Sequence, residues 1–140
     1  MKYIVNTPAL YSLYCTIILP HLTYCCEIWG NNYQETIKPL HILQKRAMRI
    51  LDGAKNLYRE HTSPIFFKFN LLNIYDIIKY QSMSFMYKVN CQLLPDNLQC
   101  FFKLNNAVHK YNTKQSSHFA IKFCRTTHRS FSLSIQGPRY

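Results

Sequence analysis

Residues 37–51 read IKPLHILQKRAMRIL, and their apolar side chains recur at the spacing of one helical face. At about 100° per residue, the apolar members form one broad arc of Ile37, Leu40, Leu43, Ala47, Met48, Ile50 and Leu51. The basic side chains fall on the other side: Lys38, His41, Lys45, Arg46 and Arg49. Gly53 follows as a stop signal. The pattern predicts an amphipathic helix that buries its apolar arc, Leu43 included.

Helix signals also precede this stretch. Thr7 and Pro8 are a capping residue followed by a first-turn proline, and residues 10–18 then keep one apolar helical face. Pro20 is expected to kink or end this helix, because it has no N–H to donate to the preceding turn. A second apolar stretch over residues 22–29 stops at a Gly-Asn-Asn turn.

Further helices are predicted downstream. The Thr-Ser-Pro sequence at residues 62–64 is another cap with a first-turn proline, and it opens a short helix over residues 65–70. Residues 74–89 predict a longer helix with one apolar face. The opposite face of that helix also lacks charge and carries Tyr80, Met83 and Tyr87. A helix that is apolar on two sides is typical of a bundle centre or of a helix that has lost a neighbour.

The character of the chain changes after Phe102. Residues 105–117 show no sustained period and are rich in Asn, Lys, Gln and Ser. Residues 130–135 alternate polar and apolar side chains, which is the period of a strand. The predicted fold is therefore mainly α: a small bundle of four to five helices forms a domain over residues 1–102. A basic tail over residues 103–140, partly extended or disordered, follows with one short β element.

The charge balance points to a polyanionic partner. The 140 residues contain 17 Lys and Arg against six Asp and Glu, for a formal charge of +11. Residues 97–140 hold seven basic residues and no acidic residue. Such a surface attracts nucleic acid above other partners. The alternative is a solvated basic face without a specific partner.

Two groups of basic residues are candidate nucleic-acid contacts. On the helix over residues 37–51, the candidates are Lys38, Lys45 and Arg49, which share a narrow arc, and Arg46, which flanks this arc. In the tail, the candidates are Lys110, Lys114, Lys122, Arg125 and Arg129. The tail cations alternate with Tyr111, Phe119, Phe123 and Phe131, a mixture that suits single-stranded nucleic acid. Each group also has an alternative interpretation. The helix residues could be an ordinary solvated helix face. The tail residues could belong to an aromatic-rich pair of strands whose other side faces solvent.

Patterns that carry catalysis or bind cofactors are missing from the sequence. The six acidic residues are scattered singly, without the clustered carboxylates that two-metal chemistry requires. No glycine-rich phosphate loop and no nucleophile elbow occurs, and the chain has only three glycines. We therefore expect no catalytic residues and no cofactor.

The six cysteines do not form a disulfide framework or a zinc motif. Their density is low, no cleavable signal peptide is evident, and no C-x2-C pair accompanies the histidines. Reduced thiols in an intracellular protein, nuclear or cytoplasmic, are the expectation, with no metal site.

One stretch is long enough to cross a bilayer, because residues 3–26 contain no charged side chain. Asn6, Thr16 and His21 lie within it, Pro20 interrupts it, and its apolar residues keep to one side. A buried helix is favoured, and a small membrane protein anchored by this stretch is kept as an alternative.

Several short motifs follow one another in the order seen in one family. They are ILPHLTYC at residues 18–25, EIWG at 27–30, LHILQKRAMRIL at 40–51, YREHTSP at 58–64, LNIYD at 72–76, LLP at 93–95, RTT at 125–127 and GPR at 137–139. Together they cover about residues 8–139 and resemble the region after the catalytic palm of LINE-type (non-LTR) retrotransposon reverse transcriptases.

The resemblance implies a helical thumb and a basic extension that handle RNA or an RNA/DNA duplex beside a palm domain. The aromatic-x-Asp-Asp turn of that palm and the endonuclease do not occur in this sequence. We therefore expect a non-catalytic fragment, truncated on both sides, with sequence-independent affinity for nucleic acid. The alternative is a structural or interaction module, with self-association through helix faces that once met the palm.

Overall fold

The computed structural model describes residues 5–53, 61–109, 111 and 113–139. These residues are largely helical, so the predicted mainly α class is confirmed. An isolated antiparallel bridge pairs Leu104 with Phe119, and the described part of the chain contains no longer strand. None of the helices in this part is both long and apolar enough to cross a bilayer.

The first helical segment begins at an asparagine cap. Helix α1 spans Thr7–Leu13, with a proline in its first turn, and the cap is Asn6 rather than the predicted Thr7. The Asn6 Oδ1 accepts a hydrogen bond from the Ala9 N–H at 3.2 Å, which satisfies one of the free donors at the helix start.

Pro20 does not end this segment. A π-helical turn over Tyr14–Ile18 follows α1, and helix α2 continues over Leu19–Thr23 with Pro20 in its first turn. The Leu19 N–H donates to the Tyr14 carbonyl, one residue further back than in an α-helix. Prolines and π turns both interrupt the regular helical ladder. Their combination here lets the chain stay helical past the proline.

The predicted amphipathic helix is confirmed and is longer than its pattern suggested. After the short helix α3 (Cys26–Trp29), helix α4 spans Gln34–Leu51. It ends at Asp52 and Gly53, where the Gly53 N–H donates to the Ile50 carbonyl. Gly53 has a φ of +68°, a conformation that costs a glycine little.

The buried side of α4 is narrower than its apolar arc and is displaced from it. Ile37, Gln44, Met48 and Leu51 are buried. Leu43 is 57% exposed, and the prediction that it lies in the core is wrong. The reason is that the elements packed on α4 cover only the edge of the arc that includes Gln44. A strip of apolar side chains therefore remains at the surface.

Helices α5 (Ser63–Lys68) and α6 (Ile74–Asn90) correspond to the other two predictions. The Asn73 Oδ1 caps α6 by accepting from the backbone N–H groups of Tyr75 and Asp76, at 3.0 and 3.1 Å. Residues buried along α6 are Ile74, Ile77, Ile78, Ser82 and Val89. Its uncharged second face is at the surface: Tyr80, Met83 and Tyr87.

The tail is built from short helical turns. Helices α7 (Asp96–Gln99), α8 (Asn105–Val108), α9 (Thr127–Ser130) and α10 (Leu133–Gln136) are followed by a 3-10 turn over Gly137–Arg139. The strand predicted over residues 130–135 is wrong. Phe131 and Ser132 separate two helical turns there, and Ile135 is buried. Six residues of alternation are too few to distinguish a strand from two turns of helix.

The described residues of Met1–Cys26 and Tyr33–Ile78 form one compact unit, and those of Glu27–Asn32 and Lys79–Tyr140 form another. The core of the first unit contains Tyr14, Met48, Leu51, Ile65 and Phe66. In the second unit Gly137 approaches Met86 so closely that a Cβ would lie 2.5 Å from the Met86 Sδ. The division after residue 102, which follows sequence character, is a different partition and stays a prediction.

Candidate nucleic-acid interface

A buried glutamine fixes helix α4. Gln44 is 2% exposed, and its Nε2 donates to the Tyr14 hydroxyl and to the Leu72 carbonyl, each at 3.0 Å. Its Oε1 accepts from the Ile74 N–H at 2.8 Å. One amide therefore ties α4 to the first helical segment and to the start of α6. Buried polar groups of this kind are costly to leave unpaired, so the contacts specify a single arrangement.

This role of Gln44 was not predicted from the sequence. The helical projection contained a usable signal, because Gln44 falls between Ile37 and Leu51, at the centre of the side that is buried. The burial of the network also raises the pKa of the Tyr14 hydroxyl, mainly through desolvation. Tyr14 therefore stays protonated and uncharged in the core.

Helix α4 places the predicted arc Lys38, Lys45 and Arg49 along one side, over about 16 Å at 1.5 Å per residue. The three environments differ. Lys38 is exposed and forms an ion pair with Glu35 at 3.4 Å, whereas Lys45 and Arg49 are half-buried. Arg46 is exposed on the flank of the arc. The arc is thus present, but one of its charges is partly neutralised.

His41 lies beside this arc. Its ring packs on Tyr75 with centroids 5.0 Å apart and a tilt of 59°. Burial, followed by the positive charge of Lys45, lowers the pKa of His41 below its ordinary value of 6.5. At neutral pH the imidazole is therefore uncharged, and the lysines and arginines carry the charge of the arc.

Four of the five candidate tail cations are exposed. Lys114, Lys122, Arg125 and Arg129 are all at the surface, and none forms an ion pair with another described residue. Lys110 lies outside the described residues. Because residues 97–140 contain no acid, the tail has no side chain of its own that neutralises these charges.

The tail rings divide into packed and exposed ones. Phe119 contacts Phe102 edge-on, with centroids 6.4 Å apart, and Phe131 is half-buried. Phe123 is 92% exposed, and Tyr111 is also at the surface. Phe123 lies between Lys122 and Arg125 in sequence. An exposed ring with cations on both sides in sequence is a combination that proteins use to bind single-stranded nucleic acid.

Within the described residues, no group of three or more His, Cys, Asp and Glu side chains lies close enough to hold a metal ion. All six cysteines are free thiols. Comparison with protein-family models, with curated proteins and with solved structures gives no match for this chain. The likeness to LINE-type reverse transcriptases rests on the sequence motifs alone.

Proposed function

We propose that the chain is a non-catalytic remnant of a LINE-type RNA-directed DNA polymerase that binds RNA or an RNA/DNA duplex without regard to base order. The observation that carries the proposal is the set of exposed, unpaired tail cations beside an exposed ring. Cations that neutralise phosphates release condensed counterions, and this release supplies most of the free energy of sequence-independent binding.

In this proposal the two basic regions act differently. Lys122 and Arg125 contact phosphates while Phe123 stacks on a base, because stacking is worth about 1–3 kcal/mol for each base whatever its identity. The arc on α4 presents Lys45 and Arg49 from a rigid helix, so it contacts phosphates at a fixed spacing. In both regions the proposed contacts are to phosphates, which carry no information about the base sequence.

The proposal includes the absence of polymerase and nuclease activity. Both reactions need clustered carboxylates for divalent ions, and the six acids of this chain are separated in sequence. We expect no primer extension by the purified chain with Mg²⁺ or Mn²⁺. Extension that is abolished by replacing one of those acids would contradict this part. The chain would act inside the cell, in the nucleus or the cytoplasm.

The test compares two labelled RNAs that have the same base composition in scrambled order. We expect equal affinities within about twofold at low salt, because phosphate contacts carry no sequence information. A strong preference for one order, or no binding of either RNA, would contradict the proposal.

A second candidate function is an interaction module, and the exposed apolar strip in the first unit favours it. Leu13, Ile17, Ile18, Leu43 and Ile50 are all exposed large aliphatic residues. Around them lie two hollows of about 260 and 310 Å³ with mostly aliphatic linings. Apolar surface of this kind is typical of a face that meets another protein, such as a palm domain or a second copy.

Light scattering with and without RNA separates the two candidates. A chain that dimerises at modest concentration and does not bind RNA would support the interaction module. A monomer that binds RNA would support the first proposal.

A further inference from the structure

A second feature of the first unit is a cavity beside the basic arc of α4, and Lys45 of that arc is part of its lining. It has a volume of about 260 Å³ and lies among α4, α5 and the start of α6. Its floor is apolar, with Phe66, Leu71 and Leu72 in the lining. Phe67 also lines it and is 83% exposed, so its ring is available at the surface. The volume is slightly below the range of about 300–1,000 Å³ of pockets for drug-sized ligands, so the cavity suits a smaller planar group.

Opposite charges line this cavity without neutralising each other. Lys45 is half-buried, Asp76 is exposed, and the two do not form an ion pair. Asp76 accepts a hydrogen bond from the Asn73 Nδ2, which fixes the carboxylate at the start of α6. Lys45 has no carboxylate partner among the described residues. The cavity therefore offers one fixed acceptor and one cation to a ligand.

The other polar residues of the lining are Thr62, Ser63 and His41. The His41 ring packs on Tyr75 with centroids 5.0 Å apart. The His41 Nδ1 is buried and has no hydrogen-bond partner among the described residues. Because the imidazole is neutral at ordinary pH, it adds a planar surface without adding a second positive charge. The cavity thus combines aromatic rings, one cation, one carboxylate and the uncharged polar residues Thr62, Ser63 and Asn73.

The Asp76 carboxylate favours a ligand that carries hydrogen-bond donors. A carboxylate accepts hydrogen bonds and donates none, so the edge of a planar ligand that faces Asp76 must carry N–H groups. Guanine presents two adjacent donors, N1–H and the N2 amino group, on its Watson–Crick edge. Uracil presents one N–H between two carbonyl oxygens, which a carboxylate repels.

We infer that this cavity binds one unpaired guanine of an RNA strand, with the base between Phe67 and the apolar floor, its donor edge on Asp76 and its phosphate on Lys45. The inference rests on the proposed RNA binding and adds a local base preference to it. It also gives Lys45 a role that differs from those of Lys38 and Arg49, which do not line the cavity.

The test uses the full chain with fluorescence anisotropy of two probes, a labelled short oligouridylate and the same strand with one central guanosine. We expect the guanosine strand to bind at least about fivefold more tightly, the lower end of what a paired base contact contributes. Asp76→Asn should abolish this difference and leave the affinity for plain oligouridylate nearly unchanged. Asp96→Asn is the matched control, because Asp96 is also an exposed acid in the first turn of a helix and lies outside the cavity. It should retain the preference.

Phe67→Ala is a second variant, and it leaves the charge of the cavity unchanged. Phe67 is exposed, so its removal leaves the core in place, and we expect the guanosine preference to fall. A wild-type chain that binds both strands equally would overturn the inference while the proposed function stands. A preference that persists in both Asp76→Asn and Phe67→Ala would also overturn it.

A titration with guanosine monophosphate, followed by amide chemical shifts, separates failure of the inference from failure of the proposed function. Shifts at residues 73–76 that are absent with uridine monophosphate would support the cavity even if the strands did not bind. If neither nucleotide shifts these amides and the guanosine strand gains nothing, the cavity is not a base site.

Discussion

The basic side of α4 and the basic tail both carry positive charge, but they differ in the structure that holds their cations. Helix α4 is 18 residues long and is fixed by the three hydrogen bonds of Gln44, and Lys38 on its surface is paired with Glu35. Of the tail cations, Lys122 and Arg125 lie on an irregular segment, Lys114 on a turn and Arg129 on a helix of four residues. No acidic side chain follows Asp96 in the sequence. The cations of α4 are therefore held on a rigid helix. Most of the described cations that have no acidic partner lie in the tail.

The largest effect is expected from loss of the glutamine that fixes α4. Gln44→Leu removes the partner of the buried Ile74 N–H and of the buried Tyr14 hydroxyl, at about 1–3 kcal/mol for each buried group. The partly buried Leu72 carbonyl also loses this hydrogen bond. We expect the free energy of unfolding to fall by about 3 kcal/mol, as measured by chemical denaturation.

Two controls accompany this variant. Gln34→Leu changes an exposed glutamine at the start of the same helix, and Leu43→Asp places a charge on the exposed apolar strip. Both should alter the free energy of unfolding by less than about 1 kcal/mol, as is usual at the surface. A Leu43→Asp chain that unfolds would mean that this strip is buried.

The next effect concerns the salt dependence of RNA affinity. Replacing Lys114, Lys122, Arg125 and Arg129 by Gln should reduce the log–log slope by about 3, because each phosphate contact contributes about 0.7 with a single strand. Replacing Lys38, Lys45 and Arg49 should reduce it by only about 1 to 2, since Lys38 is already paired. Equal reductions in the two variants would remove the distinction between the regions.

A smaller effect is expected from the exposed ring of the tail. Phe123→Ala should weaken the binding of a single-stranded RNA by about 1–2 kcal/mol and leave the salt slope unchanged, because stacking does not neutralise phosphate. Phe119→Ala is the control, since Phe119 packs on Phe102. It should lower the melting temperature more than Phe123→Ala does. Loss of RNA affinity in the control alone would contradict the stacking role.

The smallest effect is a pH dependence at α4. The pKa of His41 is lowered in the folded chain, so between 6.5 and that lower pKa the unfolded chain binds more protons. Stability should therefore fall as the pH decreases through this window, and the loss is complete below the folded pKa. His41→Gln should flatten this part of the profile, and an unchanged profile would contradict the assignment.

The long helices were predictable because their patterns extend over many turns. Residues 37–51 and 74–89 repeat an apolar spacing for four turns or more, and both form helices. The strand at residues 130–135 failed because so short an alternation does not fix the period. Residues 14–18 form a π turn before Pro20, which follows from local hydrogen bonding and has no apolar signature.

The residues of the candidate site were easier to predict from the sequence than the contacts that these residues make. The sequence identified the cations, but it did not indicate that Lys38 pairs with Glu35 or that Lys45 lines a cavity. It assigned Leu43 to the core and passed over Gln44, because hydrophobicity and burial usually coincide on a helix. Hydrophobicity and burial do not coincide here, because the Gln44 amide bonds two buried groups and one partly buried carbonyl.

The most direct test of the account is the affinity of the wild-type chain for a short oligouridylate as a function of salt, from about 50 to 200 mM. With about six phosphate contacts, shared between the tail and α4, we expect a log–log slope near −4. A slope close to zero, or no binding at the lowest salt, would contradict the claim that these cations form a nucleic-acid interface.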